Sequence, residues 1–236
     1  MERFIVDIPR LAPALVAAMR EQAATTVYEA AGQQGAMDHT IRPIALGMKL
    51  CGSALTVRCQ PADNLTLHAA IALAQPGDVI VADVGGCLEA GHWGEITTVA
   101  AQARGVAGLV TNGGVRDVGS ISRRGFAVFA PAIAIKATVK AMPGLINHPI
   151  VCGGVTVHPG DLVLADDDGV VVVAYARVAE VLEAARQRAE READVMRRLE
   201  AGELTLDVLG LRQVLDRHGL AIRPPVVHPG DNTLPA

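Results

Sequence analysis

Aromatic residues are scarce in this sequence: they make up 3% of its 236 residues, although half of the residues are hydrophobic. The core must therefore be aliphatic, built from Val, Leu, Ile and Ala. Lysine is scarcer still, with Lys49, Lys136 and Lys140 among 21 basic residues, and this restricts any chemistry that needs a lysine amine. The net charge of −4 gives no basic surface for nucleic acid.

Segments that would direct the chain to a membrane are also missing. No apolar run reaches the ~18 residues that a spanning helix needs, and the first residues lack the apolar stretch of a signal peptide. The four cysteines, Cys51, Cys59, Cys87 and Cys152, form no Cys-x-x-Cys pair, so we expect them to be reduced and buried. We therefore expect a cytoplasmic protein that binds neither membrane nor nucleic acid.

Motifs of nucleotide-binding enzymes and serine hydrolases are absent. The chain has no Gly-x-Gly-x-x-Gly motif, no Gly-x-x-x-x-Gly-Lys loop and no Gly-x-Ser-x-Gly turn. The acidic run 166–169 resembles part of a calcium loop, but Leu164 stands where an EF-hand requires Asp. Asp-Gly between two valine-rich runs instead predicts a β-hairpin of residues 162–165 and 170–173.

What the sequence does contain is typical of an α/β protein. Its 24 glycines often stand beside valine-rich runs, and hydrophobic periodicity alternates between helix and strand. His68, inside one predicted helix, is expected in the core or at an interface. The predicted elements are helices within 9–32 and at 65–73, 96–104, 178–199 and 205–220, and strands at 52–58, 79–83, 109–111, 149–157, 162–165 and 170–173. The run 127–135 is predicted to be further buried sheet.

The stretch 94–117 concentrates the polar chemistry of the chain. A glycine loop opens the helix 96–104, and the strand 109–111 ends at a glycine turn followed by Arg116 and Asp117. A helix N-terminus offers free backbone N–H groups to an anion. If the strand returns Arg116 and Asp117 to that N-terminus, one pocket combines these amides with a guanidinium and the carboxylates of Glu95 and Asp117. Such a pocket is typical of an enzyme that acts on small acids.

Simpler interpretations of the same residues stay open. Arg116 and Asp117 could form a structural ion pair. Glu95 could be only an acid in a first helical turn, where the helix dipole stabilises it. As a functional pair, Glu95 and Asp117 would suit a hard cation such as Mg²⁺ or Mn²⁺, which prefers oxygen ligands.

A family resemblance covers roughly residues 25–220. It is carried by Gly94-Glu95, 20 intervening residues and Arg116-Asp117, and by the segments 149–155 and 159–173. Asp63-Asn64 and 68–70 are further matches. On these motifs the chain resembles the class II pyruvate aldolases that act on 4-hydroxy-4-methyl-2-oxoglutarate and 4-carboxy-4-hydroxy-2-oxoadipate, which are grouped with the regulators of ribonuclease activity A (RraA).

The resemblance implies an RraA-like αββα sandwich with an extended C-terminal helix. It further implies a homo-oligomer, a trimer or a hexamer of two trimers, with active sites between protomers. The expected activity is cleavage of a small hydroxy-2-oxo acid to pyruvate and a second oxo acid, with oxaloacetate decarboxylation as a side activity. The domains expected are an aldolase core at 1–176, a helical extension at 177–222 that packs on a neighbouring subunit, and a flexible tail at 223–236.

The resemblance also implies roles for individual residues. Asp117 would bind Mg²⁺ or Mn²⁺ directly, while Glu95 and, from a neighbouring subunit, Glu192 would reach the metal through water. Arg116 would bind the pyruvoyl oxygens and neutralise the enolate. The substrate carboxylate would lie against the backbone amides of the helix N-terminus, namely those of Gly94, Glu95, Ile96 and Thr97.

The sequence departs from the family pattern at two places, and it leaves open one rival mechanism and one rival function. Relatives carry Leu-Leu-Ala where this chain has 96–98, and many carry an acid at the position of Ser120, so the choice of substrate is not fixed. A Schiff-base mechanism would need a lysine, either Lys136 or Lys140. A protein-binding regulator of ribonuclease activity, without catalysis, is the alternative from another functional class.

Overall fold

The computed structural model describes residues 2–220, and the flexible tail predicted at 223–236 lies outside these residues. Within the described part, twelve strands form one eight-stranded sheet and two small sheets. In chain order the strands are β1 (Arg42–Pro43), β2 (Leu50–Arg58), β3 (Asp78–Asp83), β4 (Gly108–Thr111), β5 (Gly114–Val115), β6 (Ala127–Ala130), β7 (Ala132–Ile133), β8 (Leu145–Ile146), β9 (Ile150–Cys152), β10 (Val155–Val157), β11 (Leu162–Asp166) and β12 (Gly169–Val173). The helices are α1 (Pro13–Arg20), α2 (Ala24–Ala30), α3 (Leu65–Leu73), α4 (Glu95–Ala103), α5 (Val118–Arg123), α6 (Val178–Glu200), α7 (Thr205–Val208) and α8 (Arg212–Arg217).

The large sheet is parallel in the middle and antiparallel at its margins. Strands β6, β4, β3 and β2 lie side by side in parallel. Strands β11 and β12 continue antiparallel beside β2, while β1 pairs antiparallel with β6 at the opposite edge. Parallel neighbours require long crossover connections, and these carry α3 between β2 and β3 and α4 between β3 and β4. The predicted α/β class is confirmed.

Both faces of the large sheet are buried under aliphatic side chains. Strand β3 shows the division, because Ile80 and Ala82 belong to one cluster while Val79 and Val81 belong to another. A third cluster joins β11 and β12 to α1, α2 and the first turns of α6. Trp93, which is fully buried, stacks on Phe126 with ring centroids 5.9 Å apart. It anchors the segment that precedes α4.

The chain divides into two compact units, Met1–Arg188 and Ala189–Ala236. All twelve strands and helices α1 to α5 belong to the first. In the described part of the second, helical backbone runs to Glu200 and is followed by α7 and α8. The helix predicted at 205–220 is therefore two short helices, interrupted at Gly210, whose φ is +66°. Arg198 and Glu203 form an ion pair of 2.6 Å in this unit.

The strand predicted at 149–157 is wrong in detail, and the sheet predicted at 127–135 is divided between two sheets. The run 127–135 breaks at Pro131, which has no backbone N–H to donate to a ladder, so β6 and β7 belong to different sheets. The run 149–157 folds into the antiparallel hairpin of β9 and β10. Its turn residues Gly153 and Gly154 both have positive φ, which an uninterrupted strand excludes.

The predicted hairpin at the acidic run is confirmed, with β11 and β12 in register from Leu162↔Val173 to Asp166↔Gly169. All four cysteines are free, and three of them are buried. Burial raises the pKa of Cys51, Cys59 and Cys152 to about 12, so these thiols are protonated at neutral pH. None of the helices in the described part is both long and apolar enough to cross a bilayer.

Arg10→Ala is expected to lower the free energy of unfolding by about 3 kcal/mol. Nε and Nη2 of Arg10 each donate to the Asp78 carboxylate at 2.9 Å, and Asp78 is 1% exposed. Without the guanidinium this carboxylate keeps one donor, the Gln75 amide. Urea unfolding measures the loss. Arg3→Ala removes an exposed hydrogen bond to the Pro143 carbonyl and should cost under ~0.5 kcal/mol; equal losses would contradict the burial argument.

Candidate active site

The segment before α4 and the segment after β4 lie side by side and place the candidate residues. Trp93 bridges to Val115 in parallel. The Arg116 amide donates to the Trp93 carbonyl at 2.8 Å, and the His92 amide donates to the Gly114 carbonyl at 2.9 Å. These backbone bonds fix the chain directly before α4 against the chain directly before α5. The starts of the two helices therefore meet.

Asp117 contacts the N-terminus of α4 directly. Its Oδ2 accepts the backbone N–H of Glu95, the first residue of α4, at 3.0 Å. The Nε of Arg116 lies 3.7 Å from the same Oδ2. Arg116 and Asp117 have side chains that are 39% and 42% exposed, so both remain accessible to a ligand. The structure thus brings a guanidinium, a carboxylate and a helix N-terminus into one place.

Gly94 is required by this close approach. A Cβ at Gly94 would lie 2.5 Å from Oδ2 of Asp117, 3.1 Å from Cγ of Arg116 and 3.2 Å from its Nε. Contacts under about 3 Å cannot be accommodated without movement of the neighbours. The space that a side chain would fill at residue 94 is the space that the two charged groups use.

Asp117 adopts a backbone conformation that is uncommon outside glycine. Its φ of 58° and ψ of 30° lie in the left-handed helical region, which Asp tolerates better than most residues. Strain of this kind persists where the surroundings impose it and is frequent at functional sites. Here it turns the chain from β5 into α5 and directs the Asp117 carboxylate to α4.

Arg124 is a member of the site that the sequence did not reveal. Its Nε and Nη2 donate to Oε1 of Glu95 at 2.9 and 2.8 Å, and its backbone carbonyl accepts from the side-chain Nε2 of Gln102 at 3.0 Å. Asp117 stands immediately before α5 and Arg124 immediately after it. Both ends of this short helix therefore bind residue 95, one at the backbone and one at the side chain. No local pattern signals a contact across 29 residues.

The amides at the N-terminus of α4 are partly engaged within the protein. The Gly94 amide donates to Oγ1 of Thr97 at 3.0 Å, and the Glu95 amide donates to Asp117. The helix geometry leaves the amides of Ile96 and Thr97 without an intrahelical acceptor. Of the four backbone amides that the family resemblance assigns to the substrate carboxylate, only these two are therefore available to bind it.

A small cleft of about 90 Å³ adjoins Arg116, and we refer to it as the Arg116 cleft. Its polar lining consists of Asn64 and His68 at the start of α3, His92 in the loop before α4, Arg116 directly after β5, and Lys140 in the 139–142 segment. His68 is half-buried and lines this cleft. The family motifs include Asn64 and His68, but their grouping with Lys140 depends on packing between distant segments and does not follow from those motifs.

His92 has a structural role in the wall of this cleft. The residue is 1% exposed, its Nε2 accepts the Ala62 amide at 3.1 Å, and its Nδ1 lies 3.3 Å from the Gly114 carbonyl. These partners require the tautomer protonated at Nδ1. Burial lowers the pKa of His92, so the ring is neutral near pH 7. It ties the loop before α4 to the loop after β2.

The donor set at Asp117 fits a hard cation with few protein ligands. Oδ1 of Asp117 accepts no hydrogen bond from the described residues, and Glu95 offers a second carboxylate on the neighbouring helix. Across residues 2–220 no group of three or more His, Cys, Asp or Glu side chains is arranged to hold a metal ion. Mg²⁺ commonly binds through one or two carboxylates together with water and substrate. Glu192 lies in the second unit, on α6.

A larger cleft of about 590 Å³ lies at the carboxyl ends of β2 and β3, where Arg3, Arg58 and Asp83 line it. Its charged groups already have partners. Asp83 Oδ1 accepts the Gly85 amide and the Asn112 side chain, Nε of Arg58 lies 3.9 Å from Oδ2 of Asp83, and Arg3 donates to the Pro143 carbonyl. It contains no helix N-terminus. Size alone favours this cleft, but the chemistry favours the smaller one.

Comparison with known proteins decides the family. The sequence profile of the RraA-like family, described as Aldolase/RraA, matches residues 23–172. The chain belongs to the RraA-like family. The resemblance inferred from the motifs is confirmed, and so is the RraA-like α/β fold with its C-terminal helix.

Proteins similar to this chain carry different names. A protein of Halalkalibacterium halodurans, named provisionally as a 4-hydroxy-4-methyl-2-oxoglutarate aldolase, is 37% identical over 149 residues, 63% of this chain and 71% of that protein. RraAS2 of Streptomyces coelicolor, described as an unusual member of the RNase ES inhibitor RraA family, superposes with a TM-score of 0.74 at 26% identity, covering 80% of this chain and 100% of that chain. An uncharacterised protein of Pseudomonas syringae superposes with a TM-score of 0.77 at 25% identity, covering 87% and 97% of the two chains.

Proposed function

We propose that this RraA-like protein is a divalent-metal-dependent aldolase that cleaves 4-carboxy-4-hydroxy-2-oxoadipate or 4-hydroxy-4-methyl-2-oxoglutarate and releases pyruvate. The observation that carries the proposal is the contact of Asp117 with the Glu95 amide at 3.0 Å, with Arg116 beside it. This arrangement offers a guanidinium, an oxygen ligand and free amides to one small 2-oxo acid. Oxaloacetate decarboxylation is the expected side activity, because it passes through the same enolate of pyruvate.

Each group has a role at the 2-oxo acid end of the substrate. The amides of Ile96 and Thr97 bind the carboxylate at C1, as helix N-termini do. Asp117 would hold Mg²⁺ or Mn²⁺ directly, and Glu95 would do so through water. When bound, the cation would polarise the 2-oxo group and favour the enolate electrostatically. Arg116 adds a fixed positive charge at the oxygen where negative charge develops.

The proposed reaction is a retro-aldol cleavage. The C4 hydroxyl loses its proton to water and becomes a carbonyl, while the C3–C4 bond breaks. The electron pair of that bond passes to C3 and to the 2-oxo oxygen, which gives the enolate of pyruvate. Protonation of C3 by water completes pyruvate, and the C4 fragment leaves as the second oxo acid.

A Schiff-base mechanism finds little support in the lysines. Lys136 is exposed and forms an ion pair of 2.6 Å with Glu89, which raises the pKa of Lys136. A lysine nucleophile needs the opposite, a lowered pKa in a desolvated site. Lys140 lines the Arg116 cleft and is the remaining candidate. Borohydride reduction in the presence of pyruvate is expected to trap no adduct.

The second candidate is a protein-binding regulator of ribonuclease activity, and the likeness to RraAS2 favours it. A regulator of this kind has no need for the contact between Asp117 and α4 or for the glycine that allows it.

We also propose that the protein assembles as a trimer or as a hexamer of two trimers. In this assembly Glu192 of a neighbouring copy would supply a third carboxylate at the cation through water.

Arg124→Ala is expected to lower kcat/KM for pyruvate release roughly 3- to 10-fold, because Glu95 loses the guanidinium that orients its carboxylate. The pair is about 40% exposed on both sides, so the free energy of unfolding should fall by less than ~1 kcal/mol. The matched control is Arg123→Ala, whose guanidinium donates to the Ser120 hydroxyl at the surface. Equal activity in the two variants would contradict the role given to Arg124.

The proposed function is tested by coupling pyruvate release to a dehydrogenase. The three substrates are the two hydroxy-oxo acids and oxaloacetate, each assayed with Mg²⁺ and with excess chelator. We expect metal-dependent pyruvate from at least one hydroxy-oxo acid. Absence of pyruvate from all three, together with no binding of Mg²⁺ by calorimetry, would reject the aldolase and favour the regulator.

A further inference from the structure

The Arg116 cleft contains polar groups that the proposed handling of the 2-oxo acid end does not use. Asn64, His68 and Lys140 line it together with the first residues of α4, of which Ile96 provides an exposed apolar side chain. Asn64 stands immediately before α3, and His68 follows one turn later. The question is which chemical group these three side chains would bind.

Asn64 offers a buried hydrogen-bond acceptor. Its Nδ2 donates to the His92 carbonyl at 3.0 Å, and this bond fixes the orientation of the amide, so Oδ1 is the atom that remains. Asn64 is 6% exposed, and Oδ1 has no hydrogen-bond partner among residues 2–220. A buried polar atom left without a partner costs about 1–3 kcal/mol. A ligand that donates a hydrogen bond there would recover this cost.

His68 adds a second unpaired atom to the same wall. Its Nε2 is buried and also has no partner in the described part of the chain. Burial, and secondarily the charge of Lys140, lower the pKa of His68, so the ring is neutral near pH 7. A neutral imidazole can donate to an oxygen or accept from a hydroxyl, depending on its tautomer.

Backbone hydrogen bonds of the residues on either side of Lys140 hold it at the cleft. Oδ2 of Asp63 accepts the amides of Ala141 and Met142 at 2.7 and 2.8 Å, and the Asn64 amide donates to the Val139 carbonyl at 3.1 Å. Asp63 is 2% exposed. Among the described residues no carboxylate lies within ion-pair distance of the Lys140 amine. The segment thus presents the positive charge of Lys140 beside the acceptor of Asn64, with the Asp63 carboxylate near enough to interact electrostatically with that charge.

We infer that Asn64, His68 and Lys140 form the subsite for the carbinol end of the substrate, where C4 carries both a hydroxyl and a carboxylate. Oδ1 of Asn64 accepts the hydroxyl proton in a hydrogen bond, and Lys140 binds the carboxylate, with His68 completing the wall. The inference rests on the proposed function for the orientation of the substrate. It makes these residues specificity determinants for tertiary 4-hydroxy-4-carboxylates, while Arg116 and Asp117 handle the 2-oxo acid end.

The subsite is tested by binding of unreactive acids to the full-length chain. Citramalate carries a tertiary hydroxyl beside a carboxylate, and methylsuccinate is the same acid without the hydroxyl. Calorimetric titrations, with Mg²⁺ and again with chelator, would compare both acids on the wild type, Asn64→Ala and Lys140→Gln. The matched control is Lys136→Gln, which removes a lysine that is paired with Glu89 outside the cleft.

We expect the wild type to bind citramalate roughly 10- to 100-fold more tightly than methylsuccinate, which corresponds to one satisfied buried acceptor. Asn64→Ala should abolish this ratio, Lys140→Gln should weaken both acids, and Lys136→Gln should change neither. The inference is overturned if the hydroxyl makes no difference to the wild type, or if the ratio survives in Asn64→Ala. Thermal unfolding of each variant identifies any loss that comes from misfolding.

A conservative variant keeps the test decisive if Asn64→Ala fails to fold. Asn64→Asp retains the acceptor oxygen and should preserve the preference for citramalate over methylsuccinate, although both acids bind more weakly. Because neither acid is cleaved, this readout is independent of catalysis. Selective binding, without pyruvate release from any of the three substrates and without binding of Mg²⁺, would leave the subsite standing and reject the aldolase. Pyruvate release without selective binding would do the reverse.

Discussion

Arg116→Ala is expected to reduce kcat/KM for pyruvate release by at least ~10²–10³-fold, the loss typical of one oxyanion-stabilising group. The guanidinium lies 3.7 Å from Asp117 and beside the N-terminus of α4, where the 2-oxo oxygen of the substrate would develop negative charge. The effect should appear mainly in kcat, because the charge on that oxygen exists in the transition state and not in the bound substrate. The coupled pyruvate assay measures it.

Two companion variants give this prediction its control. Arg116→Lys keeps the charge but loses the planar fork that binds two oxygens together, so we expect partial activity between the wild type and the alanine variant. Arg123→Ala removes a surface guanidinium whose one hydrogen-bond partner among residues 2–220 is the Ser120 hydroxyl, and it should change kcat/KM less than twofold. Full activity in Arg116→Ala would exclude the proposed role of this residue.

Gly94→Ala is expected to reduce kcat/KM for pyruvate release about as much as Arg116→Ala does, while most of the fold stays intact. The added methyl would lie 2.5 Å from Oδ2 of Asp117, so the carboxylate must leave the Glu95 amide and the adjoining guanidinium must shift. Gly94 has an extended backbone, with φ of −154°, and alanine adopts this conformation without strain. The cost therefore falls on the site, and affinity for Mg²⁺ should fall together with activity.

Gly119→Ala serves as the matched control for this substitution. Residue 119 lies inside α5, two residues after Asp117, and an added Cβ would meet only Nη1 of Arg123, at 3.5 Å. Alanine favours helix more than glycine by roughly 0.5–1 kcal/mol, so we expect unchanged activity and equal or higher stability. If Gly94→Ala and Gly119→Ala lost activity equally, any added methyl near Asp117 would be harmful. The loss in Gly94→Ala would then no longer support the contact between Asp117 and the Glu95 amide.

The placement of Arg116 and Asp117 could be predicted because it follows from one short strand and one turn. The run 109–111 had to be buried, and a chain leaving it through Asn112-Gly113-Gly114 emerges at the edge where parallel strands end. The first turn of α4 emerges at the same edge. Local sequence therefore determines which functional groups meet there.

Arg124 and the Asn64–His68–Lys140 grouping could not be predicted, because each depends on contacts between distant segments. Asn64 and Lys140 come together through Asp63, whose carboxylate binds the amides of Ala141 and Met142. From the sequence, Asp63 is expected only to accept an amide at the start of α3, which it does through the Leu65 amide. Nothing in the composition of these short polar segments predicts that the same carboxylate also binds a second segment. One side chain serves two segments, and only the folded chain shows the second.

The strand errors have a similar cause. Apolar periodicity gives the length of a hydrophobic run, but it does not say whether the run continues in one ladder or turns back. At 149–157 the glycines 153 and 154 adopt positive φ and reverse the chain. At 127–135 Pro131 ends one ladder, and the residues beyond it pair with β5 near the candidate active site. That second strand supports the segment that carries Arg116.

Hydrogen exchange at C3 of pyruvate tests the central claim most directly, since it does not depend on which hydroxy acid is the substrate. In D₂O, proton NMR would follow loss of the methyl signal of pyruvate with the wild type and Mg²⁺. If Arg116 and Asp117 stabilise the enolate, exchange is accelerated, stops with excess chelator, and disappears in Arg116→Ala and Gly94→Ala but not in Gly119→Ala. Exchange no faster than in buffer, with Mg²⁺ bound, would contradict the assignment of this site to enolate chemistry.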